Sequence, residues 1–144
     1  MLGGEVAEAS ETRNRSSSPL RWGIAGLGLI ANDFAAVLTN EGHKLNAVAA
    51  NYLPFPKQRA MIFAMKFHVP RYYGSYVELA EDRDIDIVYI ANTHAMHFAS
   101  AMLMLSHGKH VLVEKPTTMS YNDTRRLIEY AHDQVNLALK SLYS

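Results

Sequence analysis

The sequence predicts an α/β fold, a doubly wound parallel sheet of the Rossmann type. Five short apolar runs alternate along the chain with segments in which apolar residues recur at helical spacing. A glycine-rich turn joins the first apolar run to the first helical segment. Strands that alternate with helices pair in parallel through right-handed crossovers. In such sheets ligands bind beyond the carboxyl ends of the strands, and the chemically distinctive residues of this chain fall at those ends.

The composition excludes several classes of protein. The 144 residues include 14 basic and 14 acidic side chains, so no excess of positive charge favours nucleic acid or an anionic membrane. The absence of cysteine excludes disulfides and thiolate chemistry, and it suits a reducing compartment such as the cytoplasm. No apolar run approaches the roughly 20 residues of a membrane span. We therefore expect a soluble cytoplasmic domain that binds neither nucleic acid nor membrane.

Residues 1–19 are predicted to form a disordered tail. They are polar, and they cannot bury enough apolar surface to offset the entropy that is lost on ordering. They also lack the hydrophobic segment of a secretory signal. We therefore place the folded domain at residues 20–135, and we interpret residues 136–144 as the truncated start of an inter-domain region.

The boundaries of strands and helices follow from the apolar runs and from residues that cap helices. The predicted strands are 20–25, 45–50, 71–73, 85–91 and 110–113. The predicted helices are 29–40, 57–67, 76–81, 94–106 and 121–133. Ser75, with Glu78 three residues later, and Ser120 are the expected N-terminal caps. Gly42 and Gly108 are expected to end helices.

Two helices carry apolar residues that are expected to face the core. In the first helix these residues are Ile30, Phe34, Val37 and Leu38. In the second helix they are Ala60, Met61, Ala64 and Met65. Residues at these spacings share one side of a helix, and a methionine stripe usually packs in a core. Both sets are therefore predicted to be buried.

The glycine-rich turn has the pattern G-x-G-x-x-A, from Gly26 to Ala31. Gly26 permits the tight turn, Gly28 lets the backbone approach a pyrophosphate, and Ala31 lets the helix pack against the strand. The unpaired N–H groups of the helix would then face the phosphates. Glycine-rich turns also join strands and helices that bind nothing, so this turn alone leaves both interpretations open.

Polar residues follow the second, fourth and fifth predicted strands. Asn51 lies about 20 residues beyond the glycines, where a dinucleotide-binding domain places the residue that reads the ribose. Residues 92–97 follow the fourth strand, and residues 114–116 follow the fifth, where a solvated surface turn is the alternative interpretation. His94 and His97 are three residues apart, as metal ligands can be. No third ligand is evident nearby in the sequence, so we expect no metal.

These residues together resemble the N-terminal domain of the Gfo/Idh/MocA oxidoreductases, over about residues 20–133. Residues 92–97 match the family's T-x-N/H-x-x-H, apart from Asn92 in place of threonine, and residues 114–116 match its E-K-P. Residues 20–24 and 73–76 are most similar to a branch of the family that oxidises dihydrodiols and D-xylose. The glycine turn and these two motifs, in this order, are much more specific than any one of them.

The resemblance implies a domain that binds NADP or NAD, in an enzyme that transfers hydride to or from a sugar or dihydrodiol hydroxyl. Lys115 would be the catalytic residue, hydrogen-bonded to the substrate oxygen. Glu114 would orient Lys115 or contact the nicotinamide ribose, and family members can hold the following Lys–Pro bond cis. The implied cofactor-binding positions are Gly26, Leu27, Gly28, Leu29, Ile30, Asn51, Asn92, His94, His97, Glu114 and Lys115.

The sequence departs from the family pattern at two further points. NADP-preferring members have arginine at the position of Asn51, and NAD-preferring members have an acid. Asparagine cannot pair with a 2′-phosphate as arginine does, so Lys57 or Arg59 is the candidate for that charge. Family enzymes are also much longer than this chain. Their C-terminal α/β domain, which supplies substrate contacts and the dimer interface, is missing here.

Three functions are compatible with these features. The first is the nucleotide-binding half of an NAD(P)-dependent dehydrogenase, whose small-molecule substrate the sequence does not identify. The second is a non-catalytic cofactor-binding or interaction module, which would form a homo-oligomer or pair with a full-length relative through an open sheet edge. The third, a methyltransferase with its own glycine-rich turn, gives no role to residues 114–116.

Overall fold

A computed structural model describes residues 18–134 and 138–141 of the chain. Residues 1–17 of the predicted tail, and most of the predicted inter-domain segment, lie outside the described residues. The elements in chain order are β1 (Arg21–Ala25), α1 (Leu29–Asn40), β2 (Lys44–Ala49), α2 (Pro56–Phe67), β3 (Arg71–Tyr73), α3 (Tyr76–Ala80), β4 (Ile87–Ile90), a 3₁₀ turn (His94–Met96), α4 (His97–Ser106), β5 (His110–Val113), α5 (Tyr121–Asp133) and β6 (Leu139–Ser141).

The strands form a single parallel sheet in the order β3-β2-β1-β4-β5-β6. The predicted parallel sheet is confirmed, and β6 adds a sixth strand to the five predicted ones. The strand order reverses between β1 and β4, which opens a crevice at the carboxyl ends of these two strands. None of the described helices has the length and the apolar character that crossing a membrane requires.

Helices cover both faces of the sheet. On one face α1 and α2 pack through a buried cluster that includes Ala35 and Phe63. On the other face α3, α4 and α5 pack through a second cluster that includes Leu79, Met104 and Leu127. The fold is therefore doubly wound, as predicted, and each face of the sheet has its own core.

The predicted helix ends are confirmed where side chains or glycines cap them. The Ser75 hydroxyl accepts the Glu78 N–H at 3.2 Å and donates to the Glu78 carboxylate at 3.1 Å. The Ser120 hydroxyl accepts the N–H of Asp123 at 3.1 Å. Gly42 and Gly108 have φ angles of 81° and 78°, a left-handed conformation that favours glycine after a helix.

The predicted buried face of α1 is partly wrong. Ile30 and Val37 are 53% and 61% exposed. The residues of α1 that are buried are Ala31, Ala35 and Leu38. Small residues face the sheet because they allow the helix to approach it closely, which is the role predicted for Ala31. The buried face of α1 thus combines two alanines at the close approach to the sheet with the larger Leu38.

The predicted methionine stripe of α2 is also partly wrong. Met65 is 69% exposed, and Phe63 is buried with Ala60 and Ala64. Successive residues of a helix are about 100° apart, so the buried set centred on Phe63 and Ala64 leaves Met65 beyond its edge. Both sets have helical spacing, and the spacing alone does not distinguish them. The largest differences in boundaries are at β4, which is shorter than predicted, and at α4, which a 3₁₀ turn precedes; other limits differ by at most one residue.

The carboxylate of Asp82 accepts several hydrogen bonds at the amino end of the sheet, opposite the crevice. Its carboxylate accepts hydrogen bonds from Arg71 Nε at 2.7 Å and from Tyr73 Oη at 2.8 Å, and its side chain is 5% exposed. Burial alone would raise the pKa of Asp82. The bonds from Arg71, the Asp84 N–H and Tyr73 together outweigh burial and hold this pKa below its usual value.

Replacement of Asp82 with asparagine is expected to lower the free energy of unfolding at pH 7 by about 1–3 kcal/mol. A carboxyl group with a lowered pKa in the folded state stabilises the fold above its unfolded pKa and loses that effect as the pH falls. The difference between wild type and Asp82→Asn should therefore shrink below about pH 4. Urea unfolding at pH 7 and at pH 3 measures both values, with exposed Asp33→Asn as the matched control. A difference that is independent of pH would contradict this account.

Candidate functional site

A cleft of about 420 Å³ lies at the carboxyl ends of β1 and β4, where the strand order reverses. We call it the strand-end cleft. Its lining combines the glycine turn with the chain that follows β4: Gly26, Leu27, Gly28, Tyr52, Ala91, Asn92, Thr93 and His94. Five of the predicted cofactor-binding residues are thus brought together in one concave site, where open α/β sheets bind their ligands.

Gly26 brings the glycine turn into direct contact with the chain after β4. Its φ angle is 95°, in the left-handed region, and a Cβ atom at this position would lie 2.6 Å from the backbone nitrogen of Asn92. A side chain would therefore clash with backbone that cannot move aside cheaply. The requirement for glycine at this position is structural, and it fixes the relative position of the two strand ends.

Gly28 is exposed and leaves the backbone bare beside the cleft. Its φ angle is −83°, which other residues adopt, and no described atom lies within 4 Å of the place a Cβ would take. It is the N-cap of α1, where no described side chain caps the helix and the first turn holds no acidic residue. This helix end suits a phosphate, because free N–H groups and the positive end of the dipole can meet it.

A second cleft of about 460 Å³ runs between α1 and α2 and continues the first one. Leu27, Gly28 and Tyr52 line both clefts. The further lining of this α1–α2 cleft consists of residues from the two helices and the end of β2: Asn32, Ala50, Arg59, Ile62, Phe63 and Lys66. The two clefts meet over the glycine turn, so together they fit an elongated ligand whose middle carries phosphate.

Two cations lie in the α1–α2 cleft, on the side away from β4. Arg59 lines it directly, and Lys66 Nζ donates to Asn32 Oδ1 at 2.8 Å. Asn32 Nδ2 donates in turn to the carbonyl oxygen of Gly28 at 3.0 Å. Lys66 is therefore tied through Asn32 to the glycine turn. A positive charge beside this part of the cleft favours a ligand with a further anionic group.

Asn51, the predicted ribose reader, is exposed just after β2. Among the described residues the lining of both clefts includes its neighbour Tyr52, and Asn51 is in neither lining. Lys57 lies elsewhere, against Gly74, where a Cβ would come 3.1 Å from Lys57 Cβ. Of the two cations proposed from the sequence for a 2′-phosphate, Arg59 is the one that the structure places in the cleft. Leu29 and Ile30 are exposed in the first turn of α1.

His97 lies below the strand-end cleft and not in its wall. The side chain is fully buried, with Nδ1 2.6 Å from the carbonyl oxygen of Pro116 and Nε2 3.1 Å from that of Asn92. The imidazole therefore joins the chain after β4 to the chain after β5. His94 lines the cleft, and its ring lies 5.6 Å from the ring of His97. Within the described ranges no group of three His, Cys, Asp or Glu residues is placed to hold a metal.

The E-K-P turn is anchored on both sides of Lys115. The N–H of Glu114 donates to the carbonyl oxygen of Ile90 at 3.1 Å, which continues the pairing of β4 with β5. On the other side the Pro116 carbonyl meets His97, and the Lys115–Pro116 bond is cis. Lys115 itself is exposed. The turn thus presents a lysine from a fixed backbone at the same sheet edge as the strand-end cleft.

Several residues that contact the site were not identified from the sequence. Tyr52 follows Asn51 directly, so its position at a strand end was the available signal. Asn32 and Lys66 are 34 positions apart and meet only because α1 packs beside α2, so no local pattern relates them. Tyr89 lies inside the predicted apolar strand 85–91, so the sequence did not indicate the hydrogen bond that its hydroxyl group donates to Glu114.

Comparison with known proteins agrees with this arrangement. Residues 20–140 match the model of the Gfo/Idh/MocA oxidoreductase family, described as an NAD-binding Rossmann fold. The chain is 41% identical over 128 residues to mouse trans-1,2-dihydrobenzene-1,2-diol dehydrogenase, which covers 87% of this chain and 37% of that enzyme. The chain therefore spans little more than a third of the length of this relative.

Solved structures show the same fold. A 3-ketoreductase from Actinomadura kijaniata, in complex with TDP-benzene and NADP, superposes with a TM-score of 0.78 at 30% identity, over 86% of this chain and 38% of that one. Scyllo-inositol dehydrogenase from Lactobacillus casei, with NAD(H) and scyllo-inositol, gives 0.76 at 21% identity, over 88% of this chain and 36% of that one. The second similarity concerns the fold alone. Because the family model matches residues 20–140 of the 144 in this chain, the chain belongs to the Gfo/Idh/MocA oxidoreductase family. It corresponds to the NAD-binding Rossmann domain of that family.

Proposed function

We propose that this chain is the nucleotide-binding half of an NAD(P)-dependent dehydrogenase that acts on a hydroxyl group of a sugar or dihydrodiol. The observation that carries the proposal is the alignment of three features along one sheet edge. These are the bare backbone of Gly28 at the start of α1, the strand-end cleft, and the anchored turn that carries Lys115. The bound nicotinamide would supply or accept the hydride.

Lys115 has the chemistry that such a reaction needs from the protein. An ammonium group that donates a hydrogen bond to the substrate oxygen stabilises the negative charge that develops there. Its backbone is fixed through Glu114 and Pro116, while its side chain is exposed toward solvent. A lysine on a fixed turn can be aimed at one point, which a lysine on a mobile loop cannot. We assign Lys115 as the catalytic residue on this basis.

The adenosine end of the cofactor is assigned to the α1–α2 cleft. Arg59 and Lys66 supply two positive charges there. Asn51, just after β2 and outside the lining of this cleft, carries an amide in place of an arginine or an acid. Guanidinium groups pair well with a phosphate, whereas an amide bonds only weakly to one. We therefore infer a modest preference for NADP over NAD, carried by Arg59.

The test is calorimetric titration with NADPH, NADH and S-adenosylmethionine. We expect both nicotinamide cofactors to bind, NADPH more tightly, and S-adenosylmethionine not to bind. Arg59→Ala should weaken NADPH binding about tenfold and leave NADH nearly unchanged, because only NADPH carries the 2′-phosphate.

Substitutions at Asn51 provide the matched comparison for Arg59. Asn51→Arg should strengthen NADPH selectively, and Asn51→Asp should favour NADH. Equal effects of both substitutions on both cofactors would show that Asn51 does not read the ribose. Binding of S-adenosylmethionine alone would overturn the proposed function as a whole.

A non-catalytic cofactor-binding or interaction module is the second candidate. An apolar hollow of about 390 Å³ lies on the sheet, lined by side chains that include Trp22, Ile87 and Leu112, and β6 stands at an edge of the sheet. Apolar surface and an open edge suit a second copy of the chain or a full-length relative. The lack of cysteine suits the cytoplasm for either candidate. Cofactor binding with a concentration-dependent dimer, and no turnover at any concentration, would favour this second function.

A further inference from the structure

Tyr89 of β4 carries a hydroxyl group that the packing of its ring does not require. The residue is fully buried. The Phe34 ring of α1 stacks on it with centroids 3.9 Å apart, and Trp22 meets Phe34 edge-on at 5.5 Å. A phenylalanine would fill this space equally well. A buried hydroxyl group is costly without a partner, so its presence here points to the group it contacts.

The partner is the carboxylate of Glu114, the residue that precedes Lys115. Tyr89 Oη donates to Glu114 Oε1 at 2.7 Å. Burial, together with the neighbouring Glu114, raises the pKa of Tyr89 far above its usual value, so the hydroxyl remains a donor at any working pH. A bond from a neutral donor to a carboxylate is stronger than one between neutral groups. The side chain of Glu114 is thereby fixed from below.

This bond completes the anchoring of the turn around Lys115. The backbone of Glu114 is held by Ile90, and the backbone of Pro116 is held by His97. Neither contact orients the carboxylate of Glu114, which is half-buried at the edge of the sheet. Tyr89 supplies the missing constraint, and its ring also contacts α1, whose N-terminus lies at the glycine turn.

We propose that Tyr89 is a positioning residue for the nicotinamide end of the cofactor. Its hydroxyl group holds one oxygen of Glu114 and leaves the other oxygen to accept from the nicotinamide ribose. The inference rests on the proposed function, since it assumes that a nicotinamide dinucleotide occupies the cleft. Tyr89 lies in the buried layer beneath the site, and only the nicotinamide half of the cofactor would depend on it.

The test compares the whole cofactor with its adenosine half. Tyr89→Phe keeps the ring and removes only the hydroxyl group. We expect it to weaken NADPH binding about fivefold and to leave the affinity for adenosine 2′,5′-bisphosphate unchanged, since that probe lacks the nicotinamide ribose. Glu114→Ala should give at least as large a selective loss, because it removes the carboxylate that accepts from Tyr89. The double variant should bind NADPH no more weakly than Glu114→Ala alone, because Tyr89 acts only through the carboxylate of Glu114.

Phe34→Leu is the matched control, since it disturbs the same ring stack without touching the hydroxyl group. It should lower the melting temperature and leave the ratio of the two affinities unchanged. Equal losses for both probes in Tyr89→Phe, or no loss for NADPH, would overturn the positioning role while the proposed function stands. A wild-type chain that binds neither probe would overturn both. Glu114→Ala removes the acceptor of the same bond and tests the proposal if Tyr89→Phe does not fold.

Discussion

Replacement of Gly28 with valine is expected to weaken NADPH binding at least tenfold, or about 1.4 kcal/mol, and to leave the domain folded. The backbone of Gly28 has a φ angle that valine can adopt, and no described atom within 4 Å opposes a Cβ atom. The new side chain would therefore occupy open space that belongs to the cleft. Calorimetric titration of the folded variant with NADPH measures the loss directly.

Gly26→Val is the control for this experiment, and its expected effect is the opposite. At Gly26 a Cβ atom would lie 2.6 Å from the backbone of Asn92, and the φ angle of 95° disfavours any other residue. Gly26→Val should therefore lower the melting temperature of the domain, whereas Gly28→Val should lower the affinity for NADPH of a domain that stays folded. If Gly28→Val binds NADPH as tightly as the wild type does, the second glycine of the motif has no role in binding.

The fold was predictable because its signals are local. Short apolar runs, the caps at Ser75 and Ser120, and the left-handed glycines at 42 and 108 depend on near neighbours in the chain. These signals predicted five of the six described strands and placed the limits of each within two residues of the observed ones. The buried faces of α1 and α2 depend instead on how closely each helix approaches the sheet. Apolar spacing does not encode that distance, so Val37 and Met65 were assigned to the wrong side.

The residues of the candidate site likewise fall into two groups, those with a local signal in the sequence and those that meet only through packing. The positions of Gly26 and Asn92 in the strand-end cleft could be predicted because each follows a predicted strand, and parallel strands place their carboxyl ends at one edge. Asn32 and Lys66, or Tyr89 and Glu114, meet only after helices and strands pack. Such pairs come from separate elements, and a single sequence carries no mark of their contact. His97 shows the intermediate case, since its motif was recognised but its buried orientation was not.

The 144-residue chain alone is expected to bind a dinucleotide weakly and to show no measurable oxidation of D-xylose or of dihydrodiols. It spans about 37% of the dihydrodiol dehydrogenases that it matches. Hydride transfer requires a substrate held about 3–3.5 Å from the reacting atom, and such positioning is worth about 7–11 kcal/mol of the barrier. Lys115 is exposed in this structure.

Water that reaches Lys115 also weakens each electrostatic contact that the lysine can make. A loss of even 7 kcal/mol corresponds to a rate about 10⁵-fold lower, which is below detection in a steady-state assay. The measurement is NADPH production by the purified chain over a range of protein concentrations, with Lys115→Ala as the control. Clear turnover that the substitution abolishes would contradict this expectation. If that turnover also rose more steeply than the protein concentration, a second copy would be supplying the missing wall of the site, since self-association is the step that depends on concentration.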